Sequence, residues 1–149
     1  MEQTSHKQRT GLRQPAVLAW LRLARVFQKI DTLSERFFRS QGLNTAQFDV
    51  IAKVGAASGM TQQELADALL VTKGNISQLL ARLEHDRLLA RRQEGRTNCL
   101  FLTDAGRAVF ERVVPQQEAL VAELLQPLTP DEQLELLRLL RKLDHGIAT

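Results

Sequence analysis

The chain has few of the residues on which catalytic, metal-binding and disulfide-stabilised proteins depend. Its 149 residues include one cysteine and no tyrosine. A single cysteine excludes an internal disulfide and is typical of proteins in a reducing cytoplasm. The sequence contains no glycine-rich phosphate loop, Ser/His/Asp set or paired-carboxylate motif, and its three histidines lack the spacing of metal ligands (His6, His85 and His145). We therefore expect no catalytic residues, no metal and no cofactor.

Long apolar runs are also lacking. The two richest segments, 21–27 and 136–143, are interrupted by arginines, so neither approaches the length of a membrane span. The basic N-terminus is not followed by the apolar core of a signal peptide. These absences predict a cytoplasmic protein with no membrane partner.

The net charge is +3, but the charged residues are distributed unevenly along the chain. Residues 1–25 carry five cations and one anion, whereas residues 103–149 carry five cations and eight anions. Residues 61–102 are nearly balanced, with six cations and five anions, so a large nonspecific affinity for nucleic acid is not implied. Their cations can still converge on one surface, as phosphate binding requires.

Hydrophobic periodicity predicts a mainly α-helical chain. Residues 1–14 have no periodicity and are expected to form a flexible basic arm. The predicted elements are helices over about 15–40, 46–57, 62–69 and 73–86, strands near 88–93 and 98–102, a long helix from about 104, and a last helix from about 130.

Helix starts carry clear local signals. Thr61 is followed three residues later by Glu64, which is a capping box, and Thr129 combines the same spacing with a proline at the first helical position. Thr45 is expected to cap the second helix. Pro115 lies inside the long helix and is expected to bend it.

The last helix is apolar over more than one narrow stripe, which requires packing partners on two sides. One small domain can hardly supply both, so we expect a homodimer formed through the first and last helices. The residues concerned are Leu134, Leu136, Leu137, Leu139, Leu140 and Leu143.

Residues 61–102 read as two short helices followed by a basic β-hairpin. The second helix is apolar on one face, through Ile76, Leu79, Leu80 and Leu83, and polar or small on the other. A helix–turn–helix with such a hairpin places a helix in the DNA major groove and an arginine beside it. The sequence therefore predicts a DNA-binding transcription regulator.

Particular side chains are expected to contact double-stranded DNA. Asn75 and Gln78 carry amides that pair with adenine, which predicts an A·T-rich operator, and Arg96 at the hairpin tip suits a narrow minor groove. Of Arg91 and Arg92, one is expected to reach phosphate and the other to pair with a nearby glutamate. The full predicted set is Thr61, Thr72, Lys73, Gly74, Asn75, Ser77, Gln78, Arg82, Arg91, Arg92, Glu94 and Arg96.

These motifs resemble the MarR (multiple antibiotic resistance regulator) family of winged helix-turn-helix regulators. TQQELADALLVTKGNISQLLARLE is similar to the family's helix–turn–helix, and RLLARRQEGRTNCLFLTDAGR to its wing and following helix start. The resemblance spans about residues 15–146. It implies one domain over 15–149, with a winged helix-turn-helix lobe at about 45–103 and a dimerisation lobe of helices at about 15–40 and 104–147.

The resemblance also implies a mechanism. Family members are homodimers that bind pseudo-palindromic operators, usually as repressors, and a small molecule or oxidant releases the DNA. In the wing, Glu94 occupies the place of the family's aspartate, which orients the wing arginine. An aromatic or phenolic effector is expected near the first, second and fifth helices, at Trp20, Phe27, Phe48 and Phe110.

Two alternatives belong to other functional classes. One alternative is a thiol-based redox switch at Cys99, because some family members sense peroxide through cysteine. In those members the cysteine lies near the first helix. A small structural residue on the strand is the favoured interpretation of Cys99, since reactivity requires a lowered pKa. A winged helix can also serve as a protein-interaction module, because fold alone does not determine function.

Overall fold

The computed structural model describes residues 14–69 and 73–148, with only the backbone of Lys73. Most of the predicted basic arm and the candidate Thr72 therefore lie outside the described residues. The described part is mainly α-helical, as predicted. Its elements are α1 (Pro15–Ser40), α2 (Thr45–Ala56), α3 (Gln62–Leu69), α4 (Lys73–His85), β1 (Leu89–Glu94), β2 (Thr97–Leu102), α5 (Asp104–Leu124) and α6 (Pro130–Gly146).

The capping predictions are confirmed at α3 and α6 and wrong at α2. The Thr61 oxygen accepts from the Glu64 backbone N–H at 3.1 Å, and the Glu64 carboxylate accepts from the Thr61 N–H at 3.3 Å. Thr129 caps α6 in the same way. At α2 the cap is Asn44 rather than Thr45, because Gln47 stands three residues after the asparagine and completes a reciprocal capping box with it.

The chain divides into two compact units, Met1–Leu33 and Ser34–Thr149. The hydrophobic core of the second unit is formed by side chains from α2, α3, α4, α5 and both strands. Phe38, at the end of α1, belongs to this core. Its other fully buried large residues are Val50, Ile51, Val54, Leu65, Ile76, Leu80, Leu83, Leu100 and Val113.

The strands form an antiparallel hairpin with Leu89 opposite Leu102 and Glu94 opposite Thr97. The two-residue loop begins with Gly95 at φ 65°, which suits a type II′ turn with glycine in first position. A short segment before α3 pairs with the outer edge of β2. The Gly59 N–H donates to the Leu100 carbonyl at 2.9 Å, and the Leu100 N–H donates to the Met60 carbonyl at 2.8 Å. Thr61 forms an isolated antiparallel bridge with Cys99, and this pairing was not predicted from the sequence.

Helix α5 packs closely on α2. A Cβ added at Gly55 would lie 2.2 Å from the ring of Phe110, so only glycine permits this approach. Arg107 donates to the Gly55 carbonyl at 3.1 Å and lies over the Phe110 ring. α5 continues through Pro115 without ending there, and the predicted bend stays a prediction.

Candidate nucleic-acid interface

Helix α4 is buried on one face and exposed on the other. Ile76, Leu80 and Leu83 are fully buried in the core, as their spacing predicts. The opposite face is exposed and consists of Gly74, Asn75, Ser77, Gln78 and Arg82. The backbone of Lys73 begins this helix. The uncovered face is thus formed by the small and polar side chains that the sequence analysis selected.

Arg82 lies further along the same face. Its guanidinium is 3.7 Å from the carboxylate of Asp86 one turn away, and its side chain is 72% exposed. An exposed pair of this kind contributes little to stability, so it leaves the guanidinium able to exchange Asp86 for a phosphate.

The two arginines of β1 have different surroundings. Arg91 is partly buried and forms an ion pair with Glu84 of α4, so of the two sequence-based candidates, Glu84 and Glu94, it is Glu84 that pairs with an arginine of β1. Arg92 is exposed and lies over the ring of Phe101, 4.8 Å from the centroid. Of these two arginines, Arg92 is therefore the one whose charge is available to phosphate.

Gln62 connects the three elements of this region, and the sequence analysis did not select it. Its amide nitrogen donates to the Ser77 hydroxyl oxygen at 3.0 Å, and its amide oxygen accepts from Arg91 at 3.3 Å. A glutamine in the first turn of a helix has no special spacing signal. Only the tertiary structure brings its partners to it.

The wing tip departs from the arrangement that the resemblance implies. Glu94 and Arg96 flank Gly95 and are both exposed, but no ion pair joins them among the described residues. Instead the Glu94 carboxylate accepts from the Cys99 thiol, with 3.6 Å between sulfur and oxygen. In this structure the glutamate therefore contacts β2 rather than the wing arginine.

Cys99 is buried against β1 and the edge segment at Thr61. Burial raises the pKa of the Cys99 thiol, and the charge and hydrogen bond of Glu94 and the charge of Glu64 raise it further. A raised pKa disfavours the thiolate, which is the reactive form. The surroundings of Cys99 therefore suit a structural thiol.

The four residues of the predicted effector site fall in both units. Trp20 and Phe27 belong to the first unit, and each is 64% exposed. In the second unit, Phe48 stacks on Phe38 with ring centroids 4.1 Å apart, and Phe110 packs on Gly55. A groove of about 460 Å³ between α2 and α5 is lined by Phe48, Ala52, Val114, Gln117, Glu118, Val121 and Ala122. Phe110 is not part of this lining.

Within residues 14–69 and 73–148, no group of three or more His, Cys, Asp or Glu side chains is placed to hold a metal ion. None of the helices in the described part is long and apolar enough to cross a membrane.

Comparison with known proteins identifies the family. The sequence model of the MarR family matches residues 41–97. An uncharacterised HTH-type transcriptional regulator from Bacillus cereus is 37% identical over 120 residues, which are 80% of this chain and 82% of that protein. The chain belongs to the MarR family of transcriptional regulators. It is a DNA-binding regulator, and its relatives are named as regulators rather than enzymes.

Two other proteins help to define this similarity. The HTH-type transcriptional repressor MdtR of Bacillus subtilis is 30% identical over 132 residues, covering 87% of this chain and 85% of MdtR. The structure of a MarR variant from E. coli in complex with operator DNA is 29% identical, with a TM-score of 0.75 over 86% of this chain and 94% of that one. The winged-helix fold predicted from the sequence is thereby confirmed.

Proposed function

We propose that this MarR-family chain is a repressor that binds a pseudo-palindromic operator as a homodimer. In this proposal α4 enters the major groove and Arg96 the adjoining minor groove of each half-site. The observation that carries the proposal is the two-faced character of α4, whose apolar side is buried while Asn75, Gln78 and Arg82 are exposed. The structure of the E. coli MarR variant with operator DNA supports the proposal. MdtR, which is named a transcriptional repressor, supports it too.

The homodimer is supported by the apolar surface of α6. This helix buries none of its residues within the protomer, although it is rich in leucine. An exposed apolar patch of this size on one helix is typical of a protein interface. Its exposed large apolar residues are Leu134, Leu137, Leu139, Leu140, Leu143 and Ile147. We propose that α1 and the helices of 104–147 form the dimerisation lobe, and residues 45–103 the winged helix-turn-helix lobe.

Selection of bound sequences from random DNA, followed by footprinting, tests the operator. We expect two inverted A·T-rich half-sites whose centres lie about one helical turn apart or a multiple of it. Absent or salt-insensitive DNA binding would instead favour a protein-interaction module. In the cell, the proposed function requires access to DNA in the cytoplasm.

Light scattering on the purified chain tests the dimer. Leu143→Glu is expected to yield monomers, because it places a charge in the apolar surface of α6. Lys142→Gln on the same helix changes the net charge equally and is expected to leave a dimer. A wild-type monomer at micromolar concentration would refute this part of the proposal.

Effector release is the second part of the proposal, and the α2–α5 groove supports it. The groove is largely apolar and large enough for one aromatic ring with small substituents. Benzoate and phenol are suitable probes of this chemistry, measured by thermal shift and by release of bound operator. Ala52→Trp, which fills the groove, is expected to abolish both effects, and an unchanged response in this variant would place the effector elsewhere.

A further inference from the structure

We propose that Arg91, Glu84 and Gln62 form a positioning network that holds the wing in a fixed relation to α4, so that Arg91 acts through other residues and not as a phosphate contact. This inference rests on the proposed function. It assigns a role to Gln62 and Glu84 and changes the role expected for Arg91.

The geometry joins three elements that are distant in sequence. Arg91 of β1 donates through Nε to Glu84 of α4 and through Nη1 to the Gln62 amide oxygen of α3, 29 residues away. The Gln62 amide nitrogen then donates to Ser77, which returns the chain of contacts to α4. The network therefore holds α4 at two points seven residues apart, about two helical turns.

Charge and burial separate Arg91 from the cations that can reach DNA. Its side chain is 28% exposed, and that of its partner Glu84 is 34% exposed, whereas Arg82 is 72% exposed. A guanidinium engaged by a carboxylate and an amide has its charge already compensated. To reach phosphate, Arg91 would have to leave Glu84 partly buried, unpaired and close to an anionic duplex, which is unfavourable.

The function of such a network is preorganisation. The recognition face of α4 and the wing tip must contact neighbouring grooves at the same time, and β1 leads directly from Arg91 towards Arg96. A wing free to move relative to α4 would lose conformational freedom on binding, and that loss weakens affinity. The network already restricts the wing in the unbound protein, so less conformational freedom is lost when DNA binds.

The sign of one mutational effect distinguishes positioning from phosphate contact. Glu84→Ala removes an anion from the DNA-binding lobe. If Arg91 contacts phosphate, this variant frees the cation, and operator affinity rises or stays the same. If the network positions the wing, affinity falls, by about tenfold, because the pair and its coupling are lost. Asp67→Ala on α3 removes the same charge outside the network and is expected not to weaken binding.

Arg91 itself is tested by the salt dependence of binding. Arg91→Ala is expected to weaken operator binding by about tenfold with the slope of log affinity against log salt unchanged. A phosphate contact would instead lower the slope by about 1. Arg91→Lys keeps the charge but cannot bridge Glu84 and Gln62 together, so it is expected to lose most of the affinity as well.

At Gln62, a conservative substitution is expected to keep part of the network and so part of the operator affinity. In Gln62→Glu, the carboxylate can accept from both the Ser77 hydroxyl and Arg91, so operator affinity is expected to exceed that of Gln62→Leu, although the new charge itself opposes binding.

Thermal melting verifies that each variant is folded, and Arg91→Lys and Gln62→Glu serve if an alanine variant is not. Unchanged or higher affinity in Glu84→Ala, or a reduced slope in Arg91→Ala, overturns the inference while operator binding by the wild type stands. A wild type that binds no DNA overturns the proposed function too.

Discussion

The side chain of Thr103 is hydrogen-bonded to the backbone of Arg87 at the base of the wing. The Thr103 hydroxyl donates to the Arg87 carbonyl at 2.6 Å, and its oxygen accepts from the Gly106 N–H at 3.0 Å to cap α5. Arg87 has φ 60°, in the left-handed region, and follows the end of α4. One threonine side chain thus joins the segment that follows α4 to the start of α5, and it does so at a residue with positive φ.

The first prediction concerns the conformation of Arg87. A glycine at this position adopts a positive φ without the steric cost that other residues carry, so Arg87→Gly is expected to raise the free energy of unfolding by about 1 kcal/mol. Urea unfolding at a fixed protein concentration measures the change. Arg87→Ala keeps the strained backbone and is expected to show no gain. A glycine variant no more stable than the wild type would contradict this explanation.

The second prediction concerns the approach of α5 to the base of the wing. A Cβ added at Gly106 would lie 1.9 Å from the carbonyl oxygen of Leu88, which is backbone and cannot turn aside. Gly106→Ala is therefore expected to cost about 3 kcal/mol of unfolding free energy or more. Gly146→Ala is the control, since no atom of the described residues outside its immediate chain neighbours and its own helix backbone lies within 4 Å of its added Cβ. Equal melting temperatures for the two variants would show that the contact is relieved at little cost.

The third prediction concerns base recognition by Gln78. Gln78→Ala is expected to weaken binding to the selected operator by about 1–3 kcal/mol and to relax the preference for one base pair, because an amide pairs with adenine through two hydrogen bonds. Gln126→Ala, an exposed glutamine beyond α5, serves as the control. Unchanged affinity together with unchanged base preference would remove Gln78 from the interface.

The fourth prediction separates Arg96 from Glu94. Arg96→Ala is expected to weaken operator binding and lower its salt slope by about 1, since the variant loses one cation in the minor groove. Glu94→Gln is expected to cause no loss, because the carboxylate contacts Cys99 and not the arginine. If Glu94→Gln weakened binding as much as Arg96→Ala, the acid would orient the arginine after all.

The fifth prediction concerns the pH dependence of the Cys99 thiol. Its pKa is raised in the folded state, so above the ordinary thiol pKa of about 8.5 the folded chain holds a proton that the unfolded chain releases. This contribution to stability is present in full below about pH 8.5 and is lost as pH rises towards the folded pKa. Cys99→Ser is expected to show a shallower decline in urea unfolding above that pH.

Reactivity of the thiol supplies the companion measurement. Alkylation of Cys99 is expected to be slow at pH 7–8 in buffer and fast in urea, and operator binding is expected to survive peroxide. Release of the operator by peroxide in the wild type but not in Cys99→Ser would establish the redox switch in place of the structural thiol.

Local chemistry explains which sequence predictions are confirmed. The starts of α3 and α6 were predictable because each capping box is complete within four consecutive residues. At α2 two capping residues are adjacent, and the position of Gln47 selects Asn44 over Thr45. The bridge beside β2 was missed because backbone pairing of residues 59–61 requires no particular side chain. The ion pair of Arg91 remained one of several options until the fold brought Glu84 to it.

By itself, the sequence determined the order of the helices, the position of the wing turn at Gly95 and the two faces of α4. These depend on periodicity, capping and turn chemistry, which act over a few neighbouring residues. Only the tertiary structure decided that Arg91 contacts Glu84 and Gln62, that Glu94 contacts Cys99, and that α6 has no buried residue. Such pairings depend on which distant groups the packed core brings within hydrogen-bonding distance, and no short-range pattern encodes that distance.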